Sequence, residues 1–232
     1  MTHCSSETAL QQFSGSAPLF PLPNVVLFPN AVLPLHIFEP RYRQMTADAL
    51  SGERLVAMCL TTAEANLSQS APPIHPMVGL GRIIAHELLD DGRYVLVLRG
   101  IARARLIQEV PRDRLYRVGE LQIISDATLE KSQFDRRSQA EEIVSLFCKL
   151  FPGTEYQRAV QQAMSEDLPL GSICDVIAAS LPIDAQVAQL LLDELNADIR
   201  GQMLWQLLKS MDSQNPATNR TSGRFPPEFS SN

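Results

Sequence analysis

An α+β fold, β-rich in the first half of the chain and helical in the second, is what the sequence predicts. Three observations carry the prediction. Residues 18–37 form an apolar stretch interrupted by Pro18, Pro21, Pro23, Pro29 and Pro34. Each proline fixes its own φ and pushes the preceding residue out of the helical region, so the stretch is extended. Further on, Asp91-Gly92 separates two long runs of β-prone residues, the pattern of a hairpin. From about residue 128 the apolar residues change from alternation to a spacing of three and four, the period of an amphipathic helix.

Taken in order, residues 1–16 are rich in Ser, Thr and Gln and read as a flexible N-terminus. The extended segment follows. A short helix comes next: Pro40 suits its first turn, Tyr42, Met45 and Ala49 recur at helical spacing, and Gly52 closes it. Leu55 to Leu60 is a continuous apolar run of strand length. Residues 62–76 are polar and proline-containing, a loop. Met77 to Leu89 and Tyr94 to Ile107 are the arms of the hairpin, and Tyr116 to Ile124 is one more strand. In the second half Ile143, Leu146, Phe147 and Leu150 make a stripe that Pro152-Gly153 stops. Tyr156, Val160 and Ala163 mark a second helix. Ser172 with Asp175 is a capping-box-like start for a third. Pro182 ends that one, Asp184 can cap a fourth, and Asp198 can cap a last helix through Leu208. The expected division is 1–16 flexible, 17–125 β-rich, 126–211 helical and 212–232 a disordered tail, because the tail is polar and has no apolar stripe.

Composition narrows the function classes. Residues 1–125 hold eleven Arg against eleven Asp or Glu, whereas residues 126–232 hold nine Lys or Arg against fifteen Asp or Glu, so the whole net charge of −6 belongs to the second half. That is not the footprint of an electrostatic nucleic-acid binder. Cys4, Cys59, Cys148 and Cys174 form no CxxC pair, which points to reduced thiols rather than zinc or disulfides. No cationic-then-apolar leader and no membrane-length apolar stretch is present, so a soluble cytoplasmic protein without membrane contact is expected.

The run Pro18-Leu19-Phe20-Pro21-Leu22-Pro23-Asn24-Val25-Val26-Leu27-Phe28-Pro29, followed by Leu33-Pro34-Leu35-His36-Ile37-Phe38-Glu39-Pro40-Arg41-Tyr42, resembles the opening of the Lon N-terminal domain, the substrate-binding module of ATP-dependent Lon proteases. Val78-Gly79-Leu80-Gly81-Arg82-Ile83, Asp91-Gly92-Arg93-Tyr94, Leu98-Arg99-Gly100, Ala179-Ser180-Leu181-Pro182-Ile183 and the stretch from Leu191 to Leu208 extend the resemblance over residues 17–210. It implies a PUA-like β-barrel followed by an α-helical bundle, and a non-catalytic role in binding unfolded or apolar protein segments. An adaptor or modulator in protein quality control, working with a protease or a chaperone, is the role that follows.

The chemistry of a complete Lon protease is not legible here. The phosphate-cradling pattern GxxxxGK[ST] is absent, and Lys131, Lys149 and Lys209 read as solvated helix positions rather than half of a Ser–Lys pair. A stand-alone module without ATPase or peptidase domains, no cofactor and no enzyme activity is therefore expected. No HExxH or other metal-ligand spacing involves His3, His36, His75 or His86. Glu39 at a helix start serves the helix dipole and can cap. Phe20, Leu27, Phe28 and Phe38 exceed what one extended segment needs as an anchor; they are either core or the lining of a peptide groove. Arg99, Arg103 and Arg105 fall on odd positions of one strand and share a face if the strand is unbroken, but Gly100 can mark a bulge that shifts the register. A shared face would be a solvated, ion-paired surface or a basic stripe for carboxylates, phosphates or RNA. The competing functional readings are thus a PUA-like RNA binder and a hydrolase with an unrecognised site, beside peptide binding in an apolar groove or by strand addition at a sheet edge.

Overall fold

The computed structural model describes residues 8–62, 72–111, 113–127 and 135–214. The strands are β1 (Ser16–Leu22), β2 (Val32–Ile37), β3 (Leu55–Leu60), β4 (Met77–Leu88), β5 (Tyr94–Glu109) and β6 (Val118–Ile124). The helices are α1 (Pro40–Ser51), α2 (Arg136–Leu150), α3 (Glu155–Ser165), α4 (Leu170–Ser180), α5 (Ala185–Asp193) and α6 (Ala197–Gln214). The chain forms a mixed α+β structure of two compact units. Among the described residues, one takes those up to Ile124 together with Asp184–Leu192, and the other takes those of Ser125–Ile183 and 193–214. Residues 212–214 of the expected tail continue α6 instead, and its remainder, 215–232, lies outside the described residues, as do the loop residues 63–71.

In the first unit the strand order is β2-β5-β4-β3-β1-β6, and β5 also pairs with β6. Following the hydrogen bonds from β5 through β4, β3, β1 and β6 therefore leads back to β5. The length of β5 allows this: Tyr94–Arg99 pairs with β2, while Arg103–Glu109 pairs with β6. The Asp91-Gly92 turn joins β4 to β5 as its sequence requires, with Gly92 at φ 80° and Leu89 N–H bonded to Arg93 O at 2.9 Å.

The strands feed two apolar clusters from their opposite faces. Ala17, Leu19, Ala57, Cys59, Val78, Leu80, Ala102, Ala104 and Leu121 make one, drawing on every strand of the circuit. Its many small side chains let these strands pack closely on one another. Phe20, Leu22, Val56, Met58, Ile83, Leu96 and Leu98 face the other way, onto Tyr42, Met45 and Ala49 of α1 and Leu35 and Ile37 of β2. Since β3 feeds both clusters, all six of its residues are buried, which is why it reads as an unbroken apolar run.

Between β1 and β2 the chain crosses closely over the sheet. A Cβ on Gly79 would overlap the Leu27 carbonyl, and one on Gly100 the Phe28 carbonyl. Asn30 N–H bonds to Gly100 O and Gly100 N–H to Ala31 O, both at 2.9 Å. These glycines let backbone lie on backbone and drive Leu27 and Phe28 into the interior, each 1% exposed. Next to Gly100, the pairing with β4 shifts by one residue: Leu80 faces Ala102, but Gly81 faces Gly100. Ile101 is the extra residue of a β-bulge. The even-numbered residues of β5 consequently serve one cluster before it (Leu96, Leu98) and the other after it (Ala102, Ala104).

Helix α5 is tied to the strands of this unit. Gln189 Nε2 donates to Met77 O at 3.0 Å, and Arg103 Nε donates to Leu192 O at 3.0 Å. His75 Nε2 and Gln186 Oε1 are 3.1 Å apart.

In the second unit Asp135 caps α2 through Arg137 N and Ser138 N, and Thr154 caps α3 through Gln157 N. Two expected caps fall elsewhere. Helix α4 starts after Pro169, so Ser172 lies inside it and Asp175 is buried. Helix α6 is capped by Asn196, whose Oδ1 accepts from Asp198 N at 2.9 Å, while the buried Asp198 carboxylate takes a bidentate pair from Arg136 at 2.8 and 3.1 Å. Both aspartates serve tertiary ion pairs instead of local caps. Asp175 belongs to a network around Arg200, the largest fully buried side chain. Arg200 donates to Asp126 Oδ2 and to Glu194 O, each at 2.6 Å, and its Nε lies 3.3 Å from Asp175 Oδ1.

Candidate functional site

A cleft of about 470 Å³ opens in the first unit beside the C-terminal end of β1. Pro21, Leu22 and Pro23 form one wall, Glu39, Arg41 and Tyr42 at the start of α1 a second, and Leu115, Tyr116 and Arg117 between β5 and β6 a third. Its size falls within the usual range for small-ligand sites, and apolar residues (Pro21, Leu22, Leu115) and polar ones (Glu39, Arg41, Arg117) line it together.

Each wall is fixed from below. The Tyr42 ring packs on Phe20 with centroids 4.4 Å apart, and the Arg41 guanidinium lies over it at 4.6 Å. Burial pushes the Tyr42 phenol above its ordinary pKa, so it stays a neutral donor. Glu39 is the residue before α1, but its side chain makes no cap; it accepts from Arg41 Nε at 2.9 Å instead. Arg117 donates to Pro72 O at 2.7 Å and grips Glu109 with two hydrogen bonds. Those bonds hold the Glu109 carboxyl below its ordinary range. The loop carrying Leu115 is clamped onto α1: Tyr116 Oη donates to Asp48 Oδ2 at 2.8 Å, Arg114 pairs with the same oxygen, and Leu115 N donates to Gln44 Oε1 at 3.0 Å. Leu115 is thereby held out as an exposed apolar residue at the cleft mouth.

The edge of β1 has an unusual hydrogen-bonding character. Leu19 N–H bonds to Arg117 O on the β6 side, while Leu22 O accepts from Thr61 N on the β3 side. Odd-numbered residues of β1 thus address the β6 side. Beyond Leu19, where the pairing with β6 ends, the next of them is Pro21, which has no N–H, and Pro23, equally without one, follows just past the end of the strand. The open edge offers carbonyls and no donors.

The residues singled out in the sequence separate. Phe20, Leu27 and Phe28 are buried in the first unit. Phe38 is exposed but does not line the cleft. The bulge at Ile101 sends Arg99 to the opposite sheet face from Arg103 and Arg105. Arg103 is buried against Leu192, and Arg105 alone of the three is exposed. The three arginines therefore make no common stripe. Leu115 and Arg117 went unnoticed in the sequence, since nothing there shows a β5–β6 loop folding back onto α1. Among the described residues no group of three or more His, Cys, Asp or Glu could hold a metal ion, and no helix is long and apolar enough to cross a membrane.

Comparison with known proteins gives a consistent result. The model of the ATP-dependent protease La (LON) substrate-binding domain matches residues 16–210. A Lon protease of Anaeromyxobacter dehalogenans is 23% identical over 196 residues, covering 82% of this chain and 22% of the relative. One of Desulfosudis oleivorans is 25% identical over 186 residues, covering 80% and 22%. The chain thus spans about 22% of the length of these relatives. Among solved structures, the Lon N-terminal domain protein from Xanthomonas campestris superimposes with a TM-score of 0.57 at 25% identity, covering 84% of this chain and 97% of that one. The N-terminal domain of a Mycobacterium avium complex Lon protease gives 0.62 at 16% identity, covering 84% and 98%, a likeness of fold.

Proposed function

The chain belongs to the Lon substrate-binding domain family, and from that premise we propose that the cleft beside β1 holds apolar side chains of unfolded or extended protein segments without any chemical step. The observation that carries this reading is the cleft itself, lined by Pro21, Leu22 and Tyr42 with Leu115 at its mouth. The role that fits is an adaptor or modulator in cytoplasmic protein quality control, acting with a protease or chaperone. The first unit reads as a PUA-like barrel, and the return of the strand circuit to β5 supports this. Of the two binding modes, side-chain insertion is favoured over strand addition, because Pro21 and Pro23 leave the adjoining edge without donors. RNA binding through Arg99, Arg103 and Arg105 has little support, since the bulge divides them.

Fluorescence anisotropy with a labelled apolar peptide tests the proposal. Leu115→Asp should weaken binding about fivefold, the loss of one partly covered leucine contact, and moderate salt should change affinity little. Unaltered binding by Leu115→Asp, or affinity that collapses with salt as phosphate recognition does, would overturn it.

A further inference from the structure

The second unit carries a second site, built by two facing stripes of side chains. Asp135, Gln139 and Glu142 lie along α2, and Gln202, Trp205 and Gln206 along α6. The spacing of three and four in each stripe puts its members on one helix face. Between them is a cleft of about 420 Å³. Trp205 and Glu142 also line a neighbouring cleft of about 640 Å³ that holds Lys149 and Lys209; there Lys209 lies over the indole ring at 5.2 Å, and Lys149 pairs with Asp212. Lys209 does not line the first cleft, and neither does any other lysine or arginine.

The polar groups of the first cleft are weighted toward acceptors. Glu142 is exposed and has no hydrogen bond or ion pair among the described residues. Asp135 is ionised and only partly used by capping: hydrogen bonds from Ser138 and Arg137 hold its carboxyl below the ordinary range. Gln139 donates to Asp198 O, which leaves its buried Oε1 without a partner. An indole ring beside carboxylates is the chemistry that receives a cationic donor, and Lys209 shows the same ring already holding one. The charge of the chain agrees: residues 126–232 carry the entire net −6.

We propose that this cleft binds a single cationic side chain, an arginine or lysine presented by a partner protein, with its charged head between the Trp205 ring and the Glu142 carboxylate. The site is separate from the cleft beside β1 and complements it: one reads apolar side chains, the other a positive charge.

Trp205 is the only tryptophan of the chain, so its emission reports occupancy directly. The intact protein is titrated with a Gly/Ser-rich peptide carrying one arginine, and with the same peptide carrying the uncharged isostere citrulline. The arginine peptide should change the emission saturably, and the citrulline peptide should not. Glu142→Lys should weaken the arginine peptide roughly tenfold or more, with a thermal melt superimposable on that of the unaltered protein. Glu142→Gln should give a smaller loss in the same direction. An equal response to citrulline, full affinity in both Glu142 variants, or emission unaltered up to the solubility limit of the arginine peptide would overturn the proposal.

Discussion

Replacing Arg200 by methionine should cost the second unit about 3–5 kcal/mol, the penalty for removing one partner of a buried ion pair. The magnitude follows from where the opposite charges sit. The Arg200 side chain is fully buried, and the side chain of Asp175 beside it is 3% exposed. Asp126 is 36% exposed and can recover water when the guanidinium is gone. The loss therefore concentrates on Asp175, whose buried carboxylate loses the positive charge beside it, together with the Glu194 carbonyl that loses its donor. Chemical denaturation followed by circular dichroism is the assay. With a slope of about 2 kcal/mol per molar urea, the midpoint should fall by about 2 M. The double variant Arg200→Met/Asp175→Leu separates a stranded charge from simple loss of packing. Two apolar side chains of similar volume should restore most of the stability, since a buried pair replaced as a whole is close to neutral. A loss below about 1 kcal/mol in the single variant, or a double variant no more stable than the single, would refute the reasoning.

Two further outcomes are expected. Burial pushes the Cys59 thiol up to about 12, so at mildly alkaline pH it should remain a neutral, unreactive thiol; alkylation followed by peptide mass mapping should modify the partly exposed Cys148 first and Cys59 only when the first unit unfolds. Gly100→Ala should destabilise the first unit by about 1–3 kcal/mol in a thermal melt, because its Cβ would overlap the Phe28 carbonyl and lift Leu27 and Phe28 from the interior.

What the sequence made legible follows from local physics. Pro40 and Gly52 bracket α1, the Asp91-Gly92 turn is made by the residues that prefer it, and the helical stripes lie where their period puts them. Misjudged features depend on partners distant in the chain. Asp175 and Asp198 look like caps until Arg200 and Arg136 arrive from other helices. Phe28 looks like a surplus aromatic until Gly100, seventy-two positions on, is seen to leave it room. Gly100 was legible as a bulge signal, yet its effect on Arg99 and Arg103 required the register. The apolar cleft escaped notice for the same reason: Leu115 and Tyr42 come together only because Tyr116 and Arg114 reach Asp48.

The donor-free edge of β1 also bears on how a module that meets unfolded chains avoids joining them. An aggregating strand grows by annealing its backbone to an exposed row of N–H and C=O groups, and each added residue makes release slower. At Pro21 and Pro23 that ladder lacks its N–H groups and keeps only carbonyls. In the mode proposed above, side chains hold a client in the cleft, so its dissociation would involve the loss of a few independent contacts rather than the unzipping of a cooperative sheet. Capture in that mode would stay reversible, and the missing donors disfavour templated growth of clients on this edge.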